Sequence, residues 1–260
     1  MLDQVKNIVA VASGKGGVGK STTAVNTALA LKLLGKSVGL LDADIYGPSI
    51  AMMLGVAEDH RPEVVNEKFF KPVMAHGIAT ISMAYLTTDK TPMVWRGPMA
   101  AGALQQLLQQ TDWGELDVLV VDMPPGTGDI QLTLAQKAQI SGAVIVTTPQ
   151  NIALLDAKKG IEMFVKVKIP VLGIVENMAT HICSNCGTEE SIFGQGGGEK
   201  VAEQYATQLL GSLPLDKAIR EQGDAGKPIS MTDIDPEISS RYVKIAENLL
   251  AQLEQSDSQS

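Results

Sequence analysis

One loop constrains this chain more than anything else in it: SGKGGVGKST, Ser13 to Thr22. Within it, Gly14-Lys15-Gly16-Gly17-Val18-Gly19-Lys20-Ser21 fits the spacing G-x-x-x-x-G-K-[ST]. Upstream lies a short apolar run, NIVAVA at 7–12. Downstream, over 21–34, Ala24, Ala28, Leu31 and Leu34 fall near helical spacing until Gly35 stops the pattern. Strand, glycine loop and helix together form a phosphate cradle. Glycines let backbone N–H groups converge on an anion without a Cβ in the way, and the helix N-terminus adds its dipole. Lys20 is expected to reach the β- and γ-phosphates and Ser21 to ligate Mg²⁺. The candidate nucleotide-binding residues are therefore Gly14, Lys15, Gly16, Gly17, Val18, Gly19, Lys20, Ser21 and Thr22.

The rest of the chain repeats the alternation that begins there. Further apolar runs at 37–44, 77–83, 117–123, 142–148 and 171–178 read as strands, apolar on both faces as in a sheet covered on each side. Helical patterns follow at 98–111, 129–138, 152–166, 198–210 and 237–254. This predicts an α/β fold, a doubly wound, mostly parallel sheet flanked by helices, with ligands at the carboxyl ends of its strands. Residues 56–76 read as an irregular excursion. No linker divides the chain, so 1–255 is expected to be one domain and 256–260 a frayed tail.

Composition narrows the function. The chain has 260 residues, 45% of them hydrophobic and 19% charged, which suits a globular domain. A net charge of −8 argues against a general nucleic-acid binder, which needs basic surface. The start, MLDQVKNIVAVASGKGG, lacks the pattern of a signal peptide, and no run reaches the length of a membrane span, so a cytoplasmic protein without membrane or nucleic-acid partners is expected.

Three aspartates follow predicted strands. Asp122 ends DVLVVD, the place of the carboxylate that holds a metal's water shell; Asp42 and Asp44 end LLDAD. Asp42 is expected to help organise Mg²⁺ and Asp44 to orient the attacking water, against a plainer reading of both as turn residues. PPGTGD at 124–129 reads as a nucleotide-sensing switch. Lys15 is poorly placed to add to Lys20 on the same phosphates; it is an exposed loop lysine or it points across a facing subunit. Both cysteines sit in Cys183-Ser184-Asn185-Cys186-Gly187. Two thiolates at this spacing can grip one metal centre, so an iron–sulfur cluster and a zinc ion compete, with a redox pair and two inert cysteines as weaker readings. Clusters usually want four thiolates; one chain offers two, and a twofold dimer would supply four.

The early lysine in GKGGVGKST resembles the deviant phosphate loop shared by nitrogenase iron protein, the Min and Par ATPases and the Mrp (ApbC) proteins. The ordered string that continues through LLDADIYGPS, WRGPM at 95–99, WGELDVLVVDMPPGTGD at 113–129, ENMA at 176–179, CSNCG at 183–187 and IFGQGGGEK at 192–200 is similar to the Mrp (ApbC) iron–sulfur carrier ATPases over about residues 5–230. That resemblance implies an ATPase with Lys15, Lys20 and Asp44 as catalytic residues, Lys15 acting in trans within a homodimer. It implies ATP, Mg²⁺ on Ser21, Asp42 and Asp122, and a labile [4Fe–4S] cluster bridging the dimer on Cys183 and Cys186. The cluster would come from a donor scaffold and pass to apo-proteins. Asn177 would read adenine, with the GSLP loop at 211–214 opposite. The small N-terminal domain of many relatives is expected to be absent, since the loop begins at Gly14. Trp95, Arg96 and Gly97 form a motif with no evident physical role. Two rivals stay open: a structural-zinc dimeric switch ATPase, and a MinD/ParA-like positioning ATPase, though 237–254 lacks the dense basic face of a membrane helix.

Overall fold

The structure is a computed structural model that describes residues 2–57, 59–65, 68–86, 97–183 and 185–257; Trp95 and Arg96 lie outside the described residues. In chain order the elements are β1 (Val5–Ala12), α1 (Lys20–Leu33), β2 (Val38–Asp42), α2 (Ile50–Met53), β3 (Val64–Val65), β4 (Phe69–Phe70), β5 (Val73–Ala75), β6 (Ile78–Ser82), α3 (Gly97–Gln110), β7 (Leu116–Asp122), α4 (Asp129–Lys137), β8 (Gly142–Thr147), α5 (Asn151–Lys166), β9 (Val171–Glu176), β10 (His181–Ile182), β11 (Glu189–Glu190), α6 (Gly197–Gln204), β12 (Leu209–Ser212), α7 (Lys217–Asp224) and α8 (Pro236–Asp257).

One eight-stranded sheet runs β12-β9-β8-β1-β7-β2-β6-β5, parallel throughout except for β5, which pairs antiparallel with β6. Strand side chains alternate between faces, and β1 shows where each goes. Ile8, Ala10 and Ala12 join Leu104 of α3, Leu134 of α4 and Ile161 of α5 in one core. Val9 and Val11 join Leu29 of α1 and Tyr242, Ile245 and Leu249 of α8 in the other. Burial on both faces is what the continuous apolar strands required. Among the described residues, no helix is long and apolar enough to cross a membrane.

The layout matches the predicted doubly wound sheet, with local differences. The helical pattern at 198–210 stops at Gln204, where Ala206 turns into the left-handed region, and Leu209 and Leu210 leave it to build the edge strand β12 against β9. Burying Leu210 in the second core outweighs extending the helix. The excursion at 56–76 holds the β3–β4 hairpin and β5, strands too short to leave a periodic signal. Helix α8 runs on to Asp257. Strands β1, β2 and β7 are neighbours or near neighbours, and their carboxyl ends, Ala12, Asp42 and Asp122, open onto one rim.

Candidate nucleotide site and cysteine hairpin

The glycine loop spans the gap between β1 and α1. Gly17 and Gly19 have φ of +82° and +81°, a region only glycine enters cheaply. A Cβ at Gly14 would collide with the backbone carbonyl of Asp156 on α5, and one at Gly19 with the Asn177 amide. The loop is thus clamped from both sides, while Gly16 and Gly17 have open space above them. Ser13, Gly16, Gly17, Gly19, Lys20, Ser21, Thr22, Asp44, Ser49, Met53 and Pro125 line a cavity of about 220 Å³ over the helix N-terminus.

Lys20 is buried, and its Nζ lies 2.6 Å from Asp122 Oδ1 and 3.3 Å from Ser21 Oγ. Burial pushes the Asp122 carboxyl above its usual range, opposed by the Lys20 ammonium. Asp122 Oδ2 is buried without a hydrogen-bond partner among the described residues. An unpaired carboxylate oxygen beside a serine hydroxyl is a hard-oxygen pair, which fits Mg²⁺.

Asp42 is Asp122's partner across the β2–β7 register, and it does not line the cavity. Its Oδ1 accepts the Asp44 N–H at 3.2 Å; its Oδ2 accepts the N–H groups of Ser49 (3.1 Å) and Ile50 (3.2 Å) and the Ser82 hydroxyl (3.0 Å). Asp42 therefore caps α2 and shapes the segment that carries Asp44. Burial, and then the charge of Asp122, push its carboxyl up to about 7. Asp44 does line the cavity: its Oδ1 accepts the Tyr46 and Gly47 N–H groups, leaving Oδ2 without a partner among the described residues. The segment at 124–129 touches the glycine loop through the Gly126 N–H, which donates to Ser13 O at 2.9 Å. Lys15 is half-buried, and its Nζ pairs with no described residue of its own chain.

Next to the phosphate cavity lies a second one of about 180 Å³, sharing Gly19, Thr22 and Met53 with it. Asn177, Met178, Pro214, Leu215 and α7 close its far side. Asn177 Nδ2 donates to Val18 O at 2.8 Å, which leaves its Oδ1 as an acceptor for an exocyclic amine. The two cavities adjoin through those three shared residues. The α7 wall was not anticipated from sequence. Its signal was Asp216, which caps the helix by accepting the Ala218 N–H at 2.6 Å. Met53 carried no signal, because only the packing of α2 brings it over both cavities.

The two free cysteines sit on the turn joining β10 to β11. The Gly187 N–H donates to Cys183 O, and the Cys183 N–H to Thr188 O, closing the turn, with Gly187 at φ +71°. Cys183 is half-buried; Cys186 is exposed, its Sγ 3.2 Å from Thr188 Oγ1, and that contact holds its thiol below the usual value. Among the described residues, no group of three or more His, Cys, Asp and Glu side chains could hold a metal ion. The pair offers two thiols.

A family model described as NUBPL iron-transfer P-loop NTPase (ParA) matches residues 4–250. The chain belongs to this family. It is 64% identical to an iron-sulfur cluster carrier protein of Pseudomonas fragi, over 94% of this chain and 85% of that one. It is 48% identical to the iron-sulfur cluster transfer protein NUBPL of Mus musculus, over 98% and 80%. Among solved structures, a nucleotide-binding protein from Archaeoglobus fulgidus in complex with ADP superposes with a TM-score of 0.79 at 37% identity, covering 93% of each chain. The cell division ATPase MinD of Pyrococcus furiosus, at 22% identity and a TM-score of 0.70, shares the fold.

Proposed function

We propose that this chain is an ATP-hydrolysing iron–sulfur cluster carrier that holds a labile [4Fe–4S] cluster, its cargo, between two copies of itself and passes it to apo-proteins in the cytoplasm. The observation that carries this reading is the pairing of a formed nucleotide site with two free thiols on an exposed turn that has no third ligand in its own chain among the described residues. A twofold partner completes the set to four.

In this reading Lys20 binds the β- and γ-phosphates, so it must leave Asp122 when nucleotide arrives. Ser21 and the freed Asp122 would hold Mg²⁺, which would neutralise phosphate charge. Asp42 organises that site at one remove, by fixing the turn that carries Asp44 and the start of α2. Asp44 orients the attacking water and Lys15 reaches the nucleotide of the facing copy. The exposed apolar side chains Ile152 and Leu155 on α5, the helix on which Gly14 rests, and Ile192 beyond the hairpin support a second copy seated on this face.

The test is metal and sulfide content after anaerobic reconstitution. About four irons and four sulfides per dimer are expected, lost in Cys183→Ala and in Cys186→Ala with ATP binding intact. One zinc per dimer without sulfide would make the cysteines a structural staple and remove the carrier function.

A further inference from the structure

The hairpin that carries the cysteines pairs with no other strand of the described chain: β10 and β11 form a two-stranded sheet of their own. Two strands of two residues each are marginal alone in water, so whatever roots the hairpin decides how often it opens. The root is a short ladder that continues the β9–β12 pairing beyond both strands. The Leu213 N–H donates to Glu176 O at 2.9 Å, the Ala179 N–H to Leu213 O at 2.9 Å, and the Leu215 N–H to Thr180 O at 2.7 Å. The last rung is a side chain: His181 Nδ1 lies 3.1 Å from Leu215 O. A carbonyl only accepts, so Nδ1 carries the proton.

Both rails of this ladder also wall the base cavity. Asn177 and Met178 belong to one, Pro214 and Leu215 to the other. His181 is therefore bonded to a residue lining the base cavity and lies two positions before Cys183. We infer that His181 is a positioning residue that couples occupancy of the base cavity to the Cys183 end of the cysteine hairpin. The inference rests on the nucleotide-site reading above and deepens it. A base resting on Leu215 orders that segment; the His181 bond passes the order to the first thiol, while Cys186, at the exposed end of the turn, stays accessible in either state. The route differs from the phosphate switch at 124–129, because it responds to the base rather than to the γ-phosphate, and ADP therefore suffices to engage it.

The test uses the full chain without cluster, with ADP binding measured by equilibrium dialysis on the same samples. Alkylation by N-ethylmaleimide is followed separately at Cys183 and Cys186 by peptide mass spectrometry. ADP is expected to slow Cys183 about 5-fold and leave Cys186 nearly unchanged. His181→Ala is expected to bind ADP as the native chain does and to lose the protection of Cys183. His181→Asn, whose amide nitrogen stands close to the Nδ1 position, is expected to keep it, whereas His181→Gln, with its donor one bond further out, is not. Full ADP protection in His181→Ala, or no ADP effect at Cys183 in a native chain that binds ADP, overturns the coupling. Failure of the native chain to bind ADP overturns the nucleotide site itself, and the coupling with it.

Discussion

Asp42 and Asp122 face each other as register partners at the carboxyl ends of β2 and β7, both wholly buried, and they are satisfied in opposite ways. Asp122 leans on a cation, Lys20, and keeps one oxygen bare. Asp42 has no cation partner among the described residues and accepts four hydrogen bonds from its own chain. Its raised carboxyl, at about 7 against 3.8, makes stability depend on pH with a definite sign. Between those values the folded chain keeps a proton that the unfolded chain has released, so this contribution is fully present below about pH 4 and lost as pH rises through about 7. The thermal midpoint, measured in EDTA without nucleotide, is expected to fall between pH 5 and pH 8, the loss over that range being roughly 3 kcal/mol. Asp42→Asn, which cannot titrate, is expected to flatten that slope. The same slope in both proteins would place the titrating group elsewhere.

Lys20 and Asp122 form a buried pair, and breaking one half of such a pair is expensive. Lys20→Ala is expected to abolish ATP binding and to destabilise the nucleotide-free protein by about 3–5 kcal/mol, because Asp122 is left buried without its cation. The double variant Lys20→Ala/Asp122→Asn is expected to recover much of that stability and none of the binding. Asp122→Asn alone frees Lys20, so in EDTA it is expected to bind a fluorescent ADP at least about tenfold more tightly than the native chain. Weaker binding there would mean that the pair does not compete with phosphate for the lysine.

The strands and helices that bear chemistry were legible because each advertises itself locally. Asp122 ends a seven-residue strand buried along most of its length, and GKGGVGKST sets strand, turn and helix in one stretch. The role of Asp42 was not legible. LLDAD looks the same whether its first carboxylate points into a site or back at Ser49, Ile50 and Ser82, and Ser82 comes from a strand forty residues away. The second cavity was half legible as a place: Asn177 and Pro214 of the stretch 211–214, both named from sequence, line it, but Ile219 and Arg220 enter through α7, a helix whose only apolar anchor pattern is short. Likewise the bond from His181 to Leu215 left no trace in the sequence, because it depends on how β9 and β12 pair.

The glycines of the loop separate by what surrounds them. Gly19→Ala forces an L-residue into φ +81° and drives its Cβ into the Asn177 amide, which also holds Val18 O. A loss of about 2–4 kcal/mol in urea unfolding and loss of nucleotide binding are expected. Gly16 has no positive φ, and a Cβ there would meet nothing within 4 Å, so Gly16→Ala is expected to unfold within about 0.5 kcal/mol of the native chain. Equal destabilisation by the two would show that Asn177 does not clamp the loop.

In the proposed dimer, the Lys15 and the Asp44 that serve one nucleotide come from different copies. Lys15 Nζ pairs with no described residue of its own chain, while Asp44 lines the cavity of its own chain with Oδ2 unpaired among the described residues. Lys15→Ala and Asp44→Ala are each expected to bind ATP and to lose hydrolysis. Mixing them separates action in trans from action in cis. In a mixed dimer, one site has its own Asp44 and receives Lys15 from the other copy, while the second site lacks both. Half of the dimers in an equal mixture are mixed, and each has one competent site of two, so about a quarter of native ATPase activity is expected to return. If Lys15 served its own nucleotide, every site in the mixture would lack one group or the other, and the mixture would stay as inactive as its parents.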